Sequence, residues 1–515
     1  MATPGEKLAR SLEQLKGLQD QSVVAIKSSD LSRVHRERLL ENGFIKEVIK
    51  GWYFATSFDN STGESTSWFS SFWTFCARYL QERYGEEYCI SAEQSLMLHA
   101  GSTVIPTQLI IRSAKGNNTL TQLIYNTSLF VMKSPLPIVA ETTLINGVRA
   151  MRLESAIVHS LPSLFHKRPI DVRAALILVK DASQLLSILL TGGHSKIAGR
   201  LAGAYRNLAQ DKIADDILKT MKAAGYDVRE SDPFETPITL NLNLKEASPY
   251  ANRIRLMWQT MRPIILDKFP KAPGFSGNEK ATLAQIKEIY TTDAYHSLSI
   301  ENYVVSAELI ERVRSGGWNV TDNESDRKQK DAMAARGYWE AYTKVELSIH
   351  AILSGKNAGI IADADHGDWF RALFAPSVAT GIIRPAELAG YRSNQVFISN
   401  SKHLPLSKDA VRDAMPILFK LLEEEKEASV RAVLGHFIFV YIHPYMDGNG
   451  RIGRFLMNVM LVSGGFPWTV IPVEERDRYM NALESASVNQ DITPFAELIA
   501  GLVRASMDGK PTATI

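Results

Sequence analysis

The stretch His443-Pro444-Tyr445-Met446-Asp447-Gly448-Asn449-Gly450-Arg451-Ile452-Gly453-Arg454 lies between two apolar helical patterns. Upstream, Val430, Val433, Phe437, Val440 and Tyr441 mark one helix, which Pro444 ends. Downstream, Phe455, Leu456, Val459, Met460 and Val462 mark a second, stopped by Gly464-Gly465. The stretch is therefore a loop that feeds a helix N-terminus. Such a terminus binds anions, because its first-turn N–H groups lack internal acceptors and the helix dipole adds positive potential. Gly448 and Gly450 have no side chains to keep phosphate oxygens from backbone N–H groups. Arg451 and Arg454 are three apart, on one side of the first turns, and offer planar donors to a polyphosphate. Asp447 supplies a hard oxygen ligand suited to Mg2+. His443 has an ordinary pKa near neutrality and can take a proton from an attacking hydroxyl. Each piece alone is commonplace: His-Pro ends helices, Asp-Gly-Asn-Gly is usually a turn, and Arg-x-x-Arg is usually a solvated face. Their joint occurrence between two apolar helices selects the phosphate-binding reading.

Working outward, 515 residues predict about three domains. The 45% hydrophobic and 22% charged content is that of a globular chain. The 58 basic side chains against 56 acidic ones argue against nucleic-acid binding over the whole surface but leave room for a local basic patch. Residues 1–21 carry charge throughout and lack an apolar leader core. The longest apolar runs, 174–179 and 185–190, are interrupted by Lys180, Asp181 and Gln184, too short for a membrane helix. A cytoplasmic protein with no membrane partner is expected, with Cys76 and Cys89 as reduced thiols.

The quoted stretch resembles the signature of the Fic family, His-x-Phe-x-Asp/Glu-Gly-Asn-Gly-Arg-x-x-Arg, at every defined position but one, where Tyr445 replaces Phe. The resemblance implies a multidomain chain whose C-terminal half holds a mainly α Fic core with a β-hairpin flap. The core is expected over residues 288–503, within a domain of residues 241–515. By the same resemblance His443 is the general base and Asp447 the metal ligand. Gly448, Asn449 and Gly450 surround the α- and β-phosphates, which Arg451 holds, while Arg454 contacts the γ-phosphate. Gly390-Tyr391-Arg392, Gln395-Val396-Phe397-Ile398-Ser399 and His403-Leu404-Pro405 look like the flap that registers a target peptide by strand pairing. Tyr479 looks like a contact to base or ribose. Ser297-Leu298-Ser299-Ile300-Glu301-Asn302 resembles the family's inhibitory motif, in which the Glu pairs with the second Arg. A carboxylate there displaces the γ-phosphate and misaligns the α-phosphate for in-line attack.

The N-terminal half reads as α+β. Leu8, Leu12, Leu15 and Leu18 have helical spacing. Val23 to Lys27, a helix-start signal at Ser28-Ser29-Asp30, a helix over 31–42 ending at Gly43, and two strands around Lys50-Gly51 follow. Helix, short helix, helix and hairpin is the order of a winged helix, expected over residues 1–60. Leu31-Ser32-Arg33, Leu39-Leu40-Glu41-Asn42-Gly43 and Lys50-Gly51-Trp52-Tyr53 resemble the DNA-binding module of AbiEi-type antitoxins. Ile90-Ser91-Ala92-Glu93, Leu96-Met97-Leu98-His99 and Ile105-Pro106 resemble the segment that follows it. On that reading Arg33, Arg36, Arg38, Lys46 and Lys50 face DNA, although Glu37, Glu41 and Glu47 dilute the patch. An AbiEi-like α+β and helical region is expected over 61–226. Within it, residues 108–153 read as strands, and Ala174, Leu178, Ala182, Leu185 and Leu189 are spaced for one buried helical face. A proline-containing linker is expected over 227–240.

The combined expectation is a self-inhibited adenylyltransferase that uses ATP with Mg2+ or Mn2+. It moves AMP to a Ser, Thr or Tyr hydroxyl of a target protein, itself included, and releases pyrophosphate. Three alternatives stay open: a DNA-binding, antitoxin-like regulator that uses the Fic core as a nucleotide sensor, an enzyme that also removes AMP, and one that transfers another group such as UMP. A homodimer is compatible with the sequence.

Overall fold

Thr3 starts the first helix by a reciprocal cap. Its hydroxyl accepts the Glu6 N–H at 3.3 Å, and the Glu6 carboxylate accepts the Thr3 N–H at 2.8 Å. From there the computed structural model describes residues 3–21, 23–56, 65–234, 248–275, 277–316 and 330–515. The chain divides into two units, Met1–Arg253 with Phe397–Leu404, and Ile254–Val396 with Pro405–Ile515.

The first unit opens with α1 (Pro4–Asp20), β1 (Ala25–Lys27), α2 (Arg33–Glu41), β2 (Ile45–Ile49) and β3 (Trp52–Ala55). The strands form an antiparallel sheet in the order β1-β3-β2. The hairpin around Lys50-Gly51 forms where it was expected, with Gly51 at φ +81°. The expected short helix does not form. The β-branched and apolar run at 23–26 instead supplies β1, whose Ala25 and Ile26 are fully buried. The order is thus one helix short of the expected winged helix. Helix α2 starts at Ser32, whose hydroxyl accepts the His35 N–H.

Next come α3 (Thr66–Tyr84), β4 (Cys89–Ile90), α4 (Ala92–His99), β5 (Gln108–Ser113), β6 (Thr119–Gln122), β7 (Ser128–Lys133), β8 (Thr142–Ile145) and β9 (Val148–Met151). Strands β4-β5-β7-β6 form a mixed sheet in which β5 and β7 run parallel, and β8 pairs with β9. Aromatic side chains of α3 (Trp68, Phe72, Phe75) make edge contacts with one another and with Trp52 and Phe54. Cys76 and Cys89 are buried free thiols, and burial pushes both pKa values up.

Helices α5 (Leu153–His159), α6 (Pro162–Lys167), α7 (Pro169–Ile177), α8 (Ser183–Gly192), α9 (Ser195–Asn207) and α10 (Asp211–Ala223) complete this part of the unit. The single helical face expected from Ala174 to Leu189 is split between α7 and α8. Asp181 accepts the Ser183 N–H at 2.8 Å and restarts the helix there, while Ala174, Leu185 and Leu189 remain fully buried. Of the expected linker, 227–240, residues 229–232 are exposed while Val228 and Phe234 are buried, and residues 235–240 lie outside the described residues. Phe234 is buried against Phe165 and under the Arg173 guanidinium, 3.9 Å from its ring centre.

The second unit contains α11 (Pro249–Lys268) from Ile254 onward, α12 (Glu279–Ile300), α13 (Ala307–Arg314), α14 (Lys330–Leu353), α15 (Ala358–Ala379), α16 (Lys408–Glu424), α17 (Ala428–Ile442), α18 (Asn449–Val462), α19 (Arg476–Glu484) and α20 (Thr493–Met507). Helices α17 and α18 are apolar on nearly every side and are buried accordingly, so they form the centre of this unit. Each fully buried Leu, Ile or Phe on them contributes roughly 1.5–3 kcal/mol. Helices α14 and α15 meet at Gly337, where a Cβ would stand 1.9 Å from the Leu373 carbonyl oxygen.

Candidate active site at a glycine-lined loop

The loop between α17 and α18 is built by its own residues. Tyr445 packs inward and stacks on Phe370 with ring centres 3.8 Å apart at 2°. Asn449 closes the loop: its side chain accepts the Tyr445 N–H and donates to the Tyr445 carbonyl, each at 2.9 Å. Gly448 caps α18 at φ +81°, and a Cβ there would lie 2.7 Å from the Phe374 ring. Only glycine fits this position without strain. Asp447 is 65% exposed, accepts the Gly448 N–H and lies 3.3 Å from Arg451.

His443 ends α17 in the left-handed region at φ 57°, uncommon for a non-glycine residue. Its Nδ1 is 3.1 Å from the Val440 carbonyl, which only accepts, so Nδ1 carries the hydrogen and Nε2 is the basic nitrogen. Burial pushes its pKa down to about 4, with Arg392 adding to the effect. The imidazole is therefore neutral at physiological pH, as a proton acceptor must be.

Both arginines of α18 are buried. Arg451, 1% exposed, lies between the rings of Tyr303 and Phe374, with ring centres 5.1 and 5.0 Å away. Arg454, 4% exposed, donates through Nε to the Ser297 hydroxyl at 2.8 Å. Its Nη2 donates to the Ser297 carbonyl at 2.9 Å and to Glu301 at 2.8 Å. Burial works against the Arg454 charge, and Glu301 more than restores it, holding the pKa above its ordinary value. Arg451 Nε and Arg454 Nη1 are buried with no hydrogen-bond partner among the described residues. An unsatisfied buried donor costs about 1–3 kcal/mol, more for a charged group. Polyphosphate oxygens would satisfy both, so the pair fits a nucleoside triphosphate.

The residues expected at an inhibitory motif converge on the same spot. The Glu301 oxygen that pairs with Arg454 sits 2.3 Å from where a Cβ on Gly450 would project, so the carboxylate fills the space beside the loop. Asn302 follows at φ 63°, in the left-handed cap of α12, a conformation that Asn and Gly tolerate best. The Tyr303 N–H then bonds the Leu298 carbonyl at 3.1 Å. Sequence reasoning missed Tyr303, Phe374 and Asp293. Asp293 accepts from Tyr338 at 2.6 Å and Trp468 at 3.0 Å, and burial pushes its pKa up to about 6. Its position one turn before Ser297 was the available signal.

Tyr479 lies against the same cluster, its phenol beside the Arg454 guanidinium. Tyr479 is 1% exposed, with its hydroxyl 2.7 Å from His436 Nε2, in the core rather than lining an open groove. The flap does not form a hairpin ladder. Over Val396, Phe397, Ile398 and Ser399 the chain makes no strand, and the Gln395 side chain donates to the Pro405 carbonyl at 2.8 Å. Within the first unit, residues 402–404 instead bond 103–105: the Ile105 N–H donates to Lys402 at 2.9 Å, and His403 bridges Val104. Those backbone groups are therefore not available to a second flap arm.

The residues expected to face DNA are mostly engaged by protein. Arg33 pairs with Glu37, Arg36 donates to the Ser28 carbonyl, and Arg38 donates to the Lys7 carbonyl and the Ser11 hydroxyl. Lys46 donates to the Tyr125 hydroxyl, while Lys50 is exposed at the hairpin tip.

A neutral imidazole, a glycine-lined helix N-terminus and two buried guanidinium groups meet in one site whose chemistry suits phosphate groups. Residues 370–461 match the Fic/DOC family, and the C-terminal region carries a Fic/DOC-family domain. Over 132 residues the chain is 34% identical to protein adenylyltransferase Fic of Drosophila ananassae, covering 25% of this chain and 26% of that protein. It is 33% identical over 132 residues to its counterpart in Drosophila melanogaster. The chain thus spans about a quarter of the length of these relatives. A Fic-1 structure from C. elegans is similar at 18% identity, covering 64% of this chain and 91% of that one, with a TM-score of 0.37. No helix among the described residues is long and apolar enough to cross a membrane.

Proposed function

We propose that this chain transfers AMP from ATP to a hydroxyl side chain of a protein and that Glu301 restrains the reaction. The observation that carries the proposal is the pair of orphaned guanidinium donors, Arg451 Nε and Arg454 Nη1, beside the Gly448–Gly450 loop. His443 Nε2 accepts the proton of the target hydroxyl as its oxygen attacks the α-phosphorus. The bond from that phosphorus to the bridging oxygen breaks, and pyrophosphate leaves with the bond's electrons. Arg451 and Arg454 hold the phosphate chain, and backbone N–H groups at the start of α18 face its oxygens. Asp447, exposed and flanked by Arg451, is the residue that would hold Mg2+, which neutralises phosphate charge when bound.

Restraint follows from charge. Glu301 already occupies Arg454 and the space at Gly450, so a γ-phosphate must displace it. Tyr303, over Arg451, extends the same segment to the second guanidinium. The test compares wild type with His443→Ala. The variant should bind ATP and transfer no AMP, and transfer at the wild-type rate would remove His443 from the mechanism.

The likeness of the N-terminal segment to AbiEi-type modules rests on residue pattern, and the geometry lends DNA binding no support, since Arg36, Arg38 and Lys46 donate to protein groups. A mobility-shift assay on the full chain tests that reading, and salt-sensitive retardation would restore it.

A further inference from the structure

We infer that Arg392, which the transfer chemistry does not touch, is the positioning residue that holds the His443 imidazole in its working orientation; the inference rests on the transferase reading above.

Arg392 is almost wholly buried, and no carboxylate offsets its charge among the described residues. Burial, with Arg412 second, lowers its pKa to about 10. A buried cation is costly unless its donors are all used. Here backbone carbonyls use them. Nε donates to the His443 carbonyl at 2.7 Å and Nη1 to Asn394 at 3.0 Å. Nη2 donates to Leu406 and lies 3.5 Å from the Ile442 carbonyl. The Arg392 N–H also donates to the Pro444 carbonyl at 2.9 Å.

The last carbonyls of α17 have no partners within the helix, and its dipole places negative potential there. The guanidinium fork meets both needs at the residue that leaves the helix through φ 57°. The peptide planes on either side of His443 are thereby fixed. With Nδ1 tied to Val440, the direction of Nε2 has little freedom left. Asn394 and Leu406 stand on either side of the 395–405 excursion, so the same fork also ties its two ends to the catalytic loop. A lysine carries the charge but not the planar fork, so it cannot reproduce the set.

The experiment takes Glu301→Gly as the active parent and adds Arg392→Leu or Arg392→Lys, measuring kcat for AMP transfer and ATP binding by calorimetry. Arg392→Leu should lower kcat by about 100-fold and Arg392→Lys by roughly tenfold, the scale of a small misplacement of a catalytic group, with ATP affinity unchanged. If Arg392→Leu does not fold, Arg392→Lys decides. An Arg392→Lys protein with the parent's kcat, or one whose ATP affinity falls as far as its kcat, overturns the positioning role and leaves the transferase reading standing. A parent that binds ATP but transfers nothing overturns both.

Discussion

Replacing Glu301 with glycine removes a carboxylate that is 30% exposed from a guanidinium that is 4% exposed, across a 2.8 Å contact. A hydrogen bond to a charged group at such a half-buried site is worth about 1.5–3 kcal/mol. On the proposed mechanism that energy opposes ATP, because the γ-phosphate needs the same guanidinium. Its removal should therefore raise productive ATP engagement, and with it the initial rate of AMP incorporation, by roughly 10–150-fold. The same substitution leaves the buried Arg454 without its carboxylate partner, so the ATP-free protein should melt a few degrees lower. Saturating Mg-ATP should recover more melting temperature in the variant than in wild type, because the ligand no longer competes with an internal anion. Initial rates and melting curves, each with and without nucleotide, read both effects. Equal rates in the two proteins, or equal stabilisation by ATP, would refute the competition argument even if both proteins were active.

Tyr303→Ala strips one ring from Arg451 and should raise AMP incorporation by about 2–30-fold, less than or similar to Glu301→Gly, as initial rates would show. Gly448→Ala forces a Cβ to within 2.7 Å of Phe374 at a positive φ. It should lower stability by roughly 1–3 kcal/mol and remove ATP binding, read by denaturant melts and calorimetry. His436 is fully buried, and burial drives its pKa down to about 3. The unfolded chain therefore takes a proton there as pH falls through about 6.5 while the folded chain does not. Stability should drop by up to about 1.4 kcal/mol per pH unit between roughly 6.5 and 3. In His436→Gln that part of the pH dependence should flatten in melts taken across the range.

The catalytic loop was legible because its residues act together over a short span, with glycines at forced backbone positions, an amide that closes the turn, and two arginines one turn apart. Glu301 was legible for a different reason, the likeness of residues 297–302 to a family motif, and the structure adds that Asn302 behind it takes the left-handed conformation. What the sequence hid depends on distant partners. Tyr479 looks available until its hydroxyl meets His436, and Arg36, Arg38 and Lys46 look like a basic face until each finds a carbonyl or hydroxyl of the fold. The flap illustrates the same limit: the resemblance of residues 395–399 to a pairing strand does not say which backbone the neighbouring chain will meet, and His403 bridges Val104. At residues 23–27 local propensity favoured the strand over the short helix that the winged-helix order called for.

The central claim is that the site moves the α-phosphorus with its adenosine to protein. Glu301→Gly should be incubated with Mg2+ and ATP labelled either at the α- or at the γ-phosphate, and the label counted in protein and in released phosphates. The account predicts α-label retained on protein, γ-label appearing as pyrophosphate, and one pyrophosphate for each AMP bound. Label from the γ-phosphate on protein, or pyrophosphate release with no α-label retained, would contradict it.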